Sequence, residues 1–140
     1  MEIRDIPFAE QLGIEKSDDG TVILAVTPKI ENHMKTIHAA AQFALAETQS
    51  GFYLQEAFPE LEGKVIAVLR GSTVKYKHPA TTTIRAEVCV EEESKEKFLQ
   101  TFEKKLRASI SVSVVVKDLD EVVTMQGEFT WFVQSMEVEE

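Results

Sequence analysis

The sequence predicts an α+β domain in which a curved antiparallel sheet of five to six strands wraps around one long buried helix. Residues 32–51, NHMKTIHAAAQFALAETQSG, pass from a polar turn into an alanine-rich helix that is apolar nearly all round. A helix of that kind is enclosed by other elements rather than laid on a surface. From residue 65 onward the pattern is almost continuous strand. One helix covers five or six strands only if the sheet curls round it.

The elements follow in order. Ile6, Phe8, Leu12 and Ile14 are spaced for a short helix closed by Gly13. Ile14 to Lys16 and Thr21 to Thr27 read as a hairpin whose two-residue turn is Asp19-Gly20, with Pro28 ending the second strand. Lys29 to Lys35 is polar loop, and Thr36 is the expected N-cap of the buried helix. Pro59 stops that helix after about 20 residues. Residues 65–80, VIAVLRGSTVKYKHPA, form a strand with a bulge at Gly71 and an end at His78-Pro79, after a turn at Leu61 to Lys64. Ile84, Ala86, Val88 and Val90 alternate with polar residues, so this strand is covered on one side. Phe98, Leu99, Phe102 and Leu106 recur at helical spacing within Ser94 to Arg107. A terminal hairpin turning at Asp118 to Asp120 completes the sheet, and residues 136–140 are a tail.

With 140 residues, 44% of them hydrophobic, the chain is expected to fold as a single domain, residues 1–140. No apolar run reaches the roughly 18 residues of a membrane span and Met1 to Asp5 does not begin a signal peptide, so a cytoplasmic protein is expected. A net charge of -9 argues against nucleic acid, whose binding rests on phosphate neutralisation. The single cysteine, Cys89, has no partner for a disulfide or a zinc site and reads as a buried structural residue; no metal site is expected. Unpaired sheet edges favour association of copies of the chain.

Glu47 stands out: it is the only carboxylate between Asn32 and Gln55, and it lies in an apolar helix. Carboxylates are rarely buried without cause. Asn32 precedes His38 by six residues and Glu47 follows it by nine. With the LGI start, the YKHPA strand end and the GEFTW strand, this order resembles the hotdog-fold acyl-CoA thioesterases of the phenylacetic-acid-degradation type over almost the whole chain. The resemblance implies a hotdog fold and hydrolysis of an acyl-CoA thioester with no further cofactor. Two departures stand out. The two glycines that follow the His in that family are Ala39 and Ala40 here, and a strand Ser of some members falls near Leu69, with Ser72 the nearest hydroxyl.

Thioester hydrolysis needs a donor for the developing oxyanion and a carboxylate that attacks the carbonyl or activates water. The helix start at His38, Ala39 and Ala40 offers free N–H groups and the positive end of the helix dipole, and Glu47 offers the base or nucleophile. Asn32 could hold the water or the carbonyl, and His38 could orient the loop. For both, loop capping is the competing reading, and for Glu47 it is an ion pair with a Lys or Arg. Arg70, Lys75, Lys77 and Lys35 are the candidates for the phosphates of coenzyme A. Ala39 and Glu47 lie eight residues apart, roughly 12 Å along a helix. A shared site in a homodimer, or a dimer of dimers, follows. Two other readings compete. One is a non-catalytic acyl-binding domain. The other is a hydroxyacyl-thioester dehydratase using His33, fourteen residues before Glu47, although the Phe-Pro-Gly and Pro-Gly segments of such enzymes are missing.

Overall fold

The computed structural model describes residues 1–136; of the expected tail, all but Met136 lies outside the described residues. After a 3-10 turn at Ile3–Asp5, helix α1 spans Pro7–Leu12. Pro7 suits the first helical position, and Gly13 ends the helix with a left-handed φ of 89°. Strands β1 (Ile14–Lys16) and β2 (Val22–Leu24) then pair antiparallel. Their turn is longer than the expected two residues. The Ser17 N–H donates to Thr21 O at 2.8 Å around three intervening residues, and Gly20 alone of these is left-handed, where the type I′ turn favoured by Asp-Gly needs two such residues. Hydrogen bonds from Ser17 and Thr21 hold the Asp19 carboxyl down to about 2. β2 also stops at Leu24, short of the expected Thr27, and Pro28 opens a 3-10 turn.

Helix α2 runs Ala39–Ala57, 19 residues, close to the expected length. Strand β3 (Val65–Tyr76) and strand β4 (Ile84–Cys89) follow, then helix α3 (Glu92–Lys105) and the hairpin β5 (Arg107–Lys117) and β6 (Val123–Ser135). The six strands are ordered β1-β2-β4-β5-β6-β3 and every pairing is antiparallel. The inner faces of β5 and β6, carrying Val112, Val114, Met125 and Phe129, are fully buried with Leu45 and Phe52 of α2. The curled sheet and enclosed helix are the architecture the sequence predicts.

Two polar bonds pin α2 inside this core: the Val22 N–H donates to Gln49 Oε1 at 2.8 Å, and Thr124 Oγ1 donates to Gln42 Oε1 at 2.7 Å. Gln49→Leu removes the first acceptor and leaves a buried N–H unsatisfied. An expected loss of about 1–3 kcal/mol is read from the denaturant midpoint at unchanged slope.

Two expectations are corrected. The start of α2 is not enclosed, since Ala39 and Ala40 are exposed and Phe43 is half-buried. The helix packs on β2, β4, β5 and β6, and β3, at the sheet edge, leaves the remaining side open. Cys89 is exposed rather than buried, on the uncovered face at the end of β4. β3 itself pairs with β6 alone, bulges between Leu69 and Gly71 as expected near Gly71, and exposes Ile66 and Val68 at 58% and 46%. A twelve-residue edge of this kind is a template for another strand.

Candidate active site

The loop before α2 is built by Asn32. Its Oδ1 accepts from the N–H groups of Met34 (2.9 Å) and Thr36 (3.1 Å), and its Nδ2 donates to Thr36 Oγ1 at 2.8 Å. Lys35 takes a left-handed φ of 62° to close the turn. Thr36 is thereby committed to the loop, and the N-cap is His38, not Thr36: its Nδ1 accepts from the Ala40 N–H at 2.9 Å. The neutral ring then carries its proton on Nε2. The Ala40 N–H is occupied by this cap. The Ala39 N–H, one residue earlier, has no acceptor among the described residues, and Ala39 is an exposed residue. A free N–H at the positive end of a long helix is suited to an oxyanion.

Glu47 lies two turns further along α2, half-buried. Burial raises its carboxyl above the ordinary value of 4.5. The carboxylate has no hydrogen bond or ion pair among the described residues, so the competing reading, a structural pair with Lys or Arg, is not what the chain builds. It borders an apolar cleft of about 430 Å³ between the C-terminal half of α2 and the inner faces of β3 and β6. Gly51, Phe58, Ala67, Trp131 and Val133 line it.

The turn carrying Glu47 is tied to the sheet from beneath. Ser50 Oγ donates to Glu47 O at 2.7 Å and accepts from Trp131 Nε1 at 2.8 Å. Gly51 faces the indole, and a Cβ there would sit in van der Waals contact, 3.4 Å from Trp131 Cζ2. Sequence reasoning missed Ser50, Gly51 and Trp131 as site residues. The available signal was a Ser-Gly pair one turn after the lone carboxylate, together with the chain's single Trp.

Asn32, His38, Ala39 and Ala40 are thus brought together at the helix start, and Glu47 is not brought to them. His33 is exposed on the loop, away from the cleft. Ser72 pairs with Phe129 on the inner face of β3 but is exposed and outside the cleft. Arg70 stacks on the Phe132 ring at 3.9 Å, Lys75 pairs with Gln126, and Lys77 donates its N–H to Thr124 O at 2.8 Å. None of these cations, nor Lys35, lines the cleft of its own chain. Among the described residues no cluster of His, Cys, Asp or Glu could hold a metal ion, and no helix is long and apolar enough to cross a membrane.

Residues 13–133 match the family model described as a domain of unknown function, DUF4442. No curated protein matches the sequence. Among solved structures, a Pseudomonas aeruginosa protein described as a probable thioesterase superposes with a TM-score of 0.80 at 19% identity, over 94% of this chain and 89% of its own. A Bacillus halodurans protein crystallised with CoA gives 0.68 at 22% identity, over 94% and 85%. A Haemophilus influenzae thioesterase gives 0.68 at 16% identity, over 95% and 87%. At these identities the likeness establishes the fold. The chain belongs to the DUF4442 family and has the hotdog fold.

Proposed function

We propose that this protein hydrolyses an acyl-CoA thioester in the cytoplasm, with Glu47 as the base or nucleophile. The observation that carries the reading is a half-buried carboxylate with no partner among the described residues, at the edge of an apolar cleft. Such a group is expensive to keep, and burial shifts its carboxyl upward, the direction that makes it a better base. The Ala39 N–H supplies the oxyanion donor, while Ala40, its N–H held by His38, acts with Asn32 to fix the helix start. Roughly 12 Å of helix separates Ala39 from Glu47, beyond the reach of a Glu side chain. The site is therefore completed by a second copy, whose α2 runs antiparallel and brings its Ala39 to this Glu47. A structural relative crystallised with CoA supports the ligand class.

The long unpaired edge of β3 and the open side of α2 are the surfaces the second copy covers. Arg70, Lys75 and Lys77, on and just beyond that edge, are the residues proposed to meet the phosphates near the subunit boundary. Sedimentation should show no folded 15.7 kDa species at micromolar concentration. A stable monomer would remove the basis for a shared site.

A non-catalytic acyl-binding role is favoured by one observation: position 69, beside Trp131, is Leu, so no strand hydroxyl stands at the cleft. Thiol release from a panel of acyl-CoAs decides between the two. Turnover supports the hydrolase, and binding without turnover supports the acyl-binding domain.

A further inference from the structure

We infer that the cleft is an acyl-chain channel contained within one chain, with a straight saturated chain of about twelve carbons as its preferred occupant. This rests on the thioesterase reading above for which end carries the thioester. The residues that border the cleft from this side, Glu47, Gly51 and Leu54 of α2 and Phe58 at its C-cap, form one stripe along the helix. From Glu47 to Phe58 that stripe is roughly 16 Å long at 1.5 Å per residue. An extended hydrocarbon of about twelve carbons, with bonds of about 1.5 Å in a zigzag, spans about 14 Å and lies within that length.

The walls suit such a chain and do not suit a polar or short acyl group. The stretch beyond Gly51 is bordered mainly by Leu61, Val65, Val133 and aromatic carbon, with Gln55 and the exposed Glu62 as its polar residues. The far end is firm: the Phe58 and Phe98 rings lie 4.8 Å apart, and Phe98 stacks on Phe102 at 5.9 Å. A trough of this length leaves most of its apolar wall wet when a two-carbon acyl group is bound. The proposed role of Glu47 fixes the direction in which the chain lies: the thioester meets Glu47, so the pantetheine arm leaves from that end. The carbonyl then stops at Glu47 and the alkyl tail points toward Phe58.

Each additional methylene placed in the channel is worth roughly fourfold in kcat/KM. The test uses the full-length protein with straight-chain acyl-CoAs from acetyl to stearoyl, plus phenylacetyl-CoA, and measures free dodecanoate binding by calorimetry in parallel. The expected result is a specificity constant that climbs to about dodecanoyl and then levels or falls. Two half-buried positions at the far end set the length. Val65→Phe is expected to move the optimum to shorter chains and weaken dodecanoate, and Leu61→Ala to move it to longer ones, each variant being checked for cooperative thermal unfolding. An optimum at acetyl or phenylacetyl, or a chain-length profile that neither variant moves, overturns the channel and leaves hydrolysis standing. Absence of turnover on every thioester, with dodecanoate bound by the parent and weakened by Val65→Phe, overturns hydrolysis and supports the channel. Dodecanoate that binds neither the parent nor Glu47→Gln overturns the channel whatever the turnover.

Discussion

Glu47→Gln is expected to cut thioester turnover by about 10² or more, the usual contribution of a general base, in a protein that folds and is more stable than its parent at neutral pH. The amide keeps the shape of the side chain and cannot act as base or nucleophile. The stability gain follows from the direction of the carboxyl shift, which is upward by burial alone. The folded state binds the Glu47 proton more tightly than the unfolded state does, so this group favours folding fully at pH values below the unfolded pKa. That contribution is lost as pH rises from about the ordinary 4.5 through the raised folded value. Above that window the parent keeps a desolvated charge that the amide lacks, so the two proteins should differ in Tm at pH 7 and converge in acid. Activity should run the other way, since the base works only when ionised: the acid limb of kcat/KM should have its midpoint above 4.5. Unchanged kcat in a folded Glu47→Gln protein would make Glu47 structural and favour the acyl-binding role. A variant less stable than its parent at pH 7 would mean that the carboxylate has a favourable partner in the assembled protein.

The fold was legible because the signals that specify it are repeated along the chain. Nine residues of strict alternation, from Thr83 to Glu91, define β4 and its buried side, and a run of small apolar residues ended by Pro59 defines an enclosed helix. Local chemistry was less legible. Thr36 and His38 are both reasonable caps; the choice fell to His38 because Asn32 had already drawn Thr36 into its own turn, a tertiary competition that no single position announces. Asp19-Gly20 reads as a two-residue turn, but the Ser17 and Thr21 pair closes one residue further out.

The candidate site was half legible for a similar reason. A lone Glu in an apolar helix is conspicuous, and so is the His nine residues before it. What shapes the cleft around the Glu comes from far along the chain: Trp131 reaches Ser50, 81 residues away, only because β6 crosses beneath α2. The exposed start of α2 escaped the sequence because composition reports what a helix is made of. Which side its own sheet leaves uncovered depends on strand order, and β3 at the edge sets that order.

Mixing two separately inactive variants is expected to restore activity if the site is shared. Glu47→Ala removes the base. Ala39→Pro removes the oxyanion N–H and should spare the helix, because position 39 is the first of α2, where proline is tolerated, and His38 before it is already extended at φ -60° and ψ 139°. Loss of one such donor lowers turnover by about 10² to 10³. Each homodimer then has two defective sites, one kind lacking the carboxylate and the other the donor. In a mixed dimer with two-fold symmetry, the Glu47→Ala chain contributes an intact Ala39 to the intact Glu47 of the Ala39→Pro chain, and the reciprocal site has neither. One site in two is rebuilt, so an equimolar mixture in which half the dimers are mixed should recover about a quarter of the parent activity. Mass spectrometry of chains made with light and heavy nitrogen shows whether exchange has occurred. Activity that stays at the level of the separate variants after confirmed exchange would place both groups in one chain, against the roughly 12 Å of helix that separates them.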